Sequence, residues 1–156
     1  MKKEEFMKLA IDKSRYGMDN NFGGPFGAVI VKNNEIIADG FNIVTSSNDP
    51  TAHAEVTVIR KACEKLKTFN LEGCELYTSC EPCPMCLSAI YWAGIKKVYY
   101  ANTKEDADTI NFSDKFIYDE LSKNKKDRKL KMEQMGRDDA IKVFDAWSKK
   151  IDKIEY

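Results

Sequence analysis

The sequence has no surplus of either charge. Lysine plus arginine and aspartate plus glutamate number 25 each, for a formal net charge of zero and a pI near 6.6. Proteins that grip nucleic acid carry a basic excess or stripe, so the balance argues against a nucleic-acid partner, a local patch excepted. There is no apolar run of the roughly 18 residues that a membrane helix needs, and no membrane partner is expected. The opening Met1-Lys2-Lys3-Glu4-Glu5 turns acidic at once and has no apolar core. It does not read as a secretory leader, and a cytoplasmic location is expected. Internal repeats and low-complexity linkers are absent. At 156 residues and 43% hydrophobic content the chain can bury roughly 70% of its unfolded surface, so one domain over residues 1–156 is expected.

Histidine is nearly missing: His53 is the only one. Cysteines number five, an odd count, and three crowd between Cys80 and Cys86. In a cytosolic chain such a cluster reads as metal-binding rather than as a disulfide framework. The lone histidine lies in Thr51-Ala52-His53-Ala54-Glu55, and downstream stands Cys80-Glu81-Pro82-Cys83-Pro84-Met85-Cys86. Together these read H-x-E … P-C-x-x-C, the signature of zinc deaminases. His53, Cys83 and Cys86 offer three zinc ligands and leave a fourth position for water, whereas a structural site closes with four protein ligands.

Cys83 and Cys86, three apart, fall about 60° apart at the start of a helix, and His53 sits at the start of the preceding one. Helix N-termini favour thiolates and hydroxide. Glu55 is not a ligand in this pattern. A carboxylate in a helix's first turn is favoured by the dipole alone, but beside a zinc signature it is the candidate that takes a proton from water and passes it on. Two other readings of the cysteines are weaker. An iron–sulfur run needs a fourth cysteine at position 90, which is Ile90, followed by proline. A closed zinc site using Cys80 would draw on a residue at a strand end rather than on the helix face.

The pattern predicts helices over residues 4–16, from after Thr51 to about 66, and over 84–93, 114–121 and 138–150. Strands are predicted over 26–31 and 35–42, joined as a hairpin at Asn33-Asn34, and over 75–78, 98–101 and 130–135. Residues 45–50 and 103–113 read as polar loops. Alternating helices and strands after the hairpin imply a mixed sheet covered on both faces.

At these motifs the chain resembles the cytidine/deoxycytidylate deaminase superfamily and, within it, the small bacterial guanine deaminases. The resemblance runs almost end to end. It is carried by Gly23-Gly24-Pro25-Phe26-Gly27, Asn48-Asp49-Pro50, Ala89-Ile90-Tyr91-Trp92-Ala93, Phe112-Ser113-Asp114 and the terminal Glu155-Tyr156, besides the two zinc motifs.

The resemblance implies an α/β fold, three-layer α/β/α with a mixed five-stranded sheet, and hydrolytic deamination of guanine to xanthine and ammonia. It implies one zinc per chain on His53, Cys83 and Cys86, with Glu55 and Asp114 as catalytic carboxylates. Asn42, Phe26, Ala54, Trp92 and Tyr156 would contact the base, and the partner would be a second copy in a homodimer that can exchange its C-terminal segment.

The residues leave alternatives open. Phe26 and Trp92 can sandwich a flat base or simply pack a core. Asp114 can aid proton delivery or cap the helix that follows it. Tyr156 can close over a ligand or fray. Two rival activities share the core motifs: adenosine deamination in a transfer RNA anticodon, and guanosine or cytosine deamination. The acidic stretch Lys104-Glu105-Asp106-Ala107-Asp108 would repel phosphate and argues against the first. A zinc-stapled interaction module would need no Glu55. No role beyond packing is read for Cys63, Cys74 or Cys80.

Overall fold

The computed structural model describes residues 1–156, which divide into two compact units, Met1–Tyr118 and Asp119–Tyr156. In the first, α1 (Lys3–Asp19) precedes β1 (Gly27–Lys32) and β2 (Glu35–Phe41), followed by the single turn α2 (Val44–Ser47). Next come α3 (Ala54–Leu66), β3 (Cys74–Cys80), α4 (Pro84–Trp92), β4 (Lys97–Asn102), α5 (Lys104–Thr109) and the start of α6 (Asp114–Ser122). The sheet order is β2-β1-β3-β4, with β1 antiparallel to β2 and β3, and β3 parallel to β4.

The predicted hairpin forms because Asn33 and Asn34 both take the left-handed conformation (φ 51° and 64°), which a two-residue turn of this kind requires and asparagine tolerates. Strand alternation then sorts the core into two layers. Ala28, Ile30 and Leu76 face the side covered by α3 and α4, where Val58, Ala62 and Ile90 close the core. Val29, Val31 and Tyr77 face the other side and pack on Phe6 and Ala10 of α1. The result is the three-layer α/β/α arrangement expected from the sequence.

The sheet has four strands, not five. Residues 130–135 form no strand, and Leu130, Met132 and Met135 are exposed. Their alternation of apolar and polar residues suits a strand, but a ladder also needs a partner edge, and alternation cannot supply one. Residues 104–109, read as loop, form a helix because Thr103 caps it: Thr103 Oγ1 accepts from the Asp106 N–H, and Asp106 Oδ2 accepts from the Thr103 N–H.

The second unit holds the end of α6, a 3₁₀ turn (Lys125–Asp127) and α7 (Arg137–Lys149). Glu120 organises it, accepting from Lys123 Nζ and from the Lys129 N–H, each at 2.7 Å. Its helix α7 buries no residue and exposes Val143, Phe144 and Trp147. No helix of the chain is long and apolar enough to cross a membrane.

Candidate active site

Two helix starts converge to build the site. His53 is the N-cap residue of α3 and Cys83 that of α4, both with extended backbone. An N-cap side chain turns back over the first turn, and Cys83 Sγ accepts from the Cys86 N–H at 3.5 Å. Pro84 follows at the first helical position, where its missing N–H costs nothing.

Since α3 and α4 cover the same face of the sheet, the two caps meet. His53 Nδ1 lies 3.5 Å from Cys83 Sγ and 3.4 Å from Cys86 Sγ, and all three ligand atoms lie within 4.8 Å of one another. Tetrahedral zinc, with bonds of about 2.3 Å to sulfur and 2.0–2.1 Å to nitrogen, sets such ligands about 3.5 Å apart. The donor set and its spacing therefore fit zinc. Cys80 stands outside this cluster: its thiol donates to the Thr103 carbonyl at 3.6 Å, and burial pushes its pKa up to about 12.

The cluster is electrostatically uneven. The Cys86 thiol beside it, together with the His53 ring and the Cys86 N–H, holds Cys83 down to about 4 despite burial. Cys86 is pushed upward, first by its bond to Cys83 and then by burial. The bond to Cys83 raises His53, against burial.

Glu55, in the first turn of α3, is only 6% exposed. Burial raises its pKa, and Oε1 accepts from Thr78 Oγ1 at 3.1 Å. A cavity of about 210 Å³ opens beside His53, Glu55 and Cys83, and Phe26, Asn42 and Asp114 also line it. Burial and then the nearby Cys83 raise the Asp114 carboxyl. One turn on, the Tyr118 hydroxyl ties α6 to the Pro82 carbonyl at 2.8 Å. Phe26 meets Phe112 edge-on with ring centres 4.8 Å apart.

Asn42 is buried, and Oδ1 accepts from the N–H groups of Gly24 (3.3 Å) and Val44 (3.0 Å). A flipped amide would set its NH₂ against two donors, so the orientation is fixed. The sequence offered Asn42 as donor and acceptor; its oxygen is engaged by the backbone, and the NH₂ group is what it has left for a ligand. Gly23 makes this possible, because a Cβ there would lie 2.2 Å from Asn42 Oδ1.

Six of the expected residues thus share one cavity or cluster on its wall: His53, Glu55, Cys83, Asn42, Phe26 and Asp114, with Cys86 bonded in behind. Ala54 is fully buried in the core under α3. Trp92 ends α4 at 70% exposure and does not line the cavity. Tyr156 ends the second unit, also exposed. The sequence reading missed Gly24, Val44, Thr45, Cys80, Glu81 and Phe112 as lining residues. Glu81 and Phe112 lie inside the motif segments, which was signal enough; Thr45 sat in a stretch that reads only as polar loop.

A family model of the cytidine and deoxycytidylate deaminase zinc-binding region matches residues 1–102. The chain belongs to this deaminase family. Guanine deaminase of Bacillus subtilis is 51% identical over 156 residues, all of both chains. The X-ray structure of guanine deaminase from Bacillus subtilis superposes with a TM-score of 0.96 over 100% of this chain and 99% of that one. A tRNA-specific adenosine deaminase of Aquifex aeolicus is 45% identical over 101 residues, 65% of this chain and 66% of its own. The family model describes a zinc-binding region, and the His53–Cys83–Cys86 cluster lies within the residues it matches; the similarity to guanine deaminase spans the whole chain, that to the transfer-RNA enzyme 65% of it.

Proposed function

We propose that this deaminase hydrolyses guanine to xanthine and ammonia. The observation that carries the reading is one cavity lined by a buried Glu55, by His53 and Cys83 of the His53–Cys83–Cys86 set, and by Asn42 and Asp114. Full-length similarity to a guanine deaminase supports the choice of base. So does size: about 210 Å³ is below the roughly 300–1,000 Å³ of pockets for drug-sized ligands and suits a free base better than a nucleoside. The carboxylates of Glu81 and Asp114 on the walls oppose a phosphate backbone.

Zinc, one per chain, would be held by His53, Cys83 and Cys86 and would supply the Lewis acidity that brings the pKa of water towards 7. Glu55 takes the proton of the attacking water and returns it to a ring nitrogen of the base. The Asn42 NH₂ donates to an acceptor on the purine edge and fixes its orientation. Phe26, propped by Phe112, packs against the flat ring. Asp114, on the cavity wall with its pKa raised by burial, relays to the departing amine the second proton of the attacking water, so that ammonia leaves as the carbonyl forms. Ala54 lends backbone beside His53.

We further assign residues 1–156 to one deaminase domain acting in the cytoplasm as a homodimer that exchanges its C-terminal segment. The uncovered apolar face of α7 and the exposed Trp92 support this, and Trp92 and Tyr156 would reach the base in the dimer. Sedimentation of the native chain and of a chain cut after residue 150 tests it: a dimer that falls to monomer with lost turnover is expected, and a fully active truncated monomer overturns it. The activity itself is tested by ammonia release from guanine with xanthine as co-product.

A further inference from the structure

Thr78 carries a hydroxyl that packing does not require. Along β3, Cys74 and Leu76 face α3 and α4 in the core while Tyr77 faces α1, so alternation puts Thr78 and Cys80 on the side of the site. Thr78 is 1% exposed. Its strand is internal, with Thr78 paired to Ala28 on one side and to Tyr100 on the other. A valine would supply the same branched shape and strand preference. What threonine adds is Oγ1, which lies 3.1 Å from Glu55 Oε1 and 3.1 Å from the Cys80 carbonyl oxygen.

One hydroxyl proton cannot satisfy two acceptors at once, and the carbonyl can only accept. The hydroxyl donates to an ionised Glu55. The Thr78 hydroxyl thus links β3 to α3.

We infer that Thr78 is a positioning residue for Glu55: its hydroxyl, fixed on an internal strand, ties Oε1 in place. The Glu55 backbone N–H and the Cys86 thiol also bond the carboxylate. The inference rests on the deaminase reading above, in which Glu55 moves protons. A flexible glutamate has several rotamers, and proton transfer demands one geometry. Thr78 touches no substrate atom and acts only through Glu55.

Thr78→Val and Thr78→Ser test this on the zinc-loaded, full-length protein, with whichever base of a panel of guanine, guanosine, adenine and cytosine the native chain deaminates. The native chain's turnover tests the deaminase reading by itself. The expected result for Thr78→Val is a kcat lower by about 10- to 100-fold, the size of a lost hydrogen bond to a charged group. KM and zinc per chain should be unchanged, and Thr78→Ser should recover kcat to within a few fold. A crystal structure of Thr78→Val should show the Glu55 carboxylate turned from its native orientation. If Thr78→Val does not fold, Thr78→Ala against Thr78→Ser makes the same comparison. Thr78→Val with native kcat, or Thr78→Ser as damaged as Thr78→Val with Glu55 unmoved in the crystal, overturns the inference.

Discussion

His53 and Cys83 each stand at the N-cap position of a helix, and their side chains meet at 3.5 Å. The cluster is therefore a by-product of how two helices begin on one face of a sheet. The same placement aims both helix dipoles at the cluster, which favours the thiolate form of Cys83.

The purified chain should contain one zinc per protomer by elemental analysis. Cys86→Ala should lose most of it, since two remaining ligands do not make a tight site. Chelation should lower the melting temperature of the native protein, because an ion bound only to the folded state stabilises that state. Iron in place of zinc, or no metal with full activity, contradicts this assignment.

Glu55→Gln should retain zinc and lose turnover by roughly 10²- to 10⁴-fold, the usual contribution of a general acid–base group. Measured side by side, unchanged metal content and unchanged kcat would remove Glu55 from the reaction.

The same variant reports on burial in the metal-free protein. Burial raises the Glu55 pKa above its ordinary 4.5, so the folded state binds the proton more tightly than the unfolded chain. Stability due to Glu55 is then present below that ordinary value and falls as pH rises towards the folded one. After chelation, Glu55→Gln should melt close to the native chain near pH 4 and above it near pH 8. A difference that does not grow with pH contradicts the sign.

Asn42→Asp replaces the NH₂ group left for a ligand by an oxygen while keeping an acceptor for the Gly24 and Val44 N–H groups. Its melting temperature should stay near native. Its KM for guanine should rise by about 10- to 100-fold, because a donor contact is lost and a like-signed atom takes its place. A native KM would mean that the base is not read by Asn42.

Much of this was legible in the sequence, and for identifiable reasons. His53, Glu55, Cys83 and Cys86 announce themselves by spacing, since zinc chemistry tolerates few residue types. The hairpin was legible because Asn33-Asn34 is turn chemistry in itself. Asn42 was named as a contact, but its polarity was not readable, because the lock comes from the Gly24 and Val44 backbone N–H groups. Thr78 looks like any strand residue until Glu55 is placed next to it. Thr103 and Asp106 spell a capping box, but the polarity of the stretch around them hides the helix they open. Residues 130–135 failed in the opposite direction: local alternation fitted a strand, and pairing is a property of the tertiary structure.

The most direct test is ammonia release from a panel of guanine, guanosine, adenine, cytosine and transfer RNA with the zinc-loaded chain. The account predicts that guanine yields ammonia and xanthine in equal amounts and that the other substrates react far more slowly. Deamination of transfer RNA in preference to guanine, or no ammonia from any base by a zinc-loaded, folded protein, would contradict it.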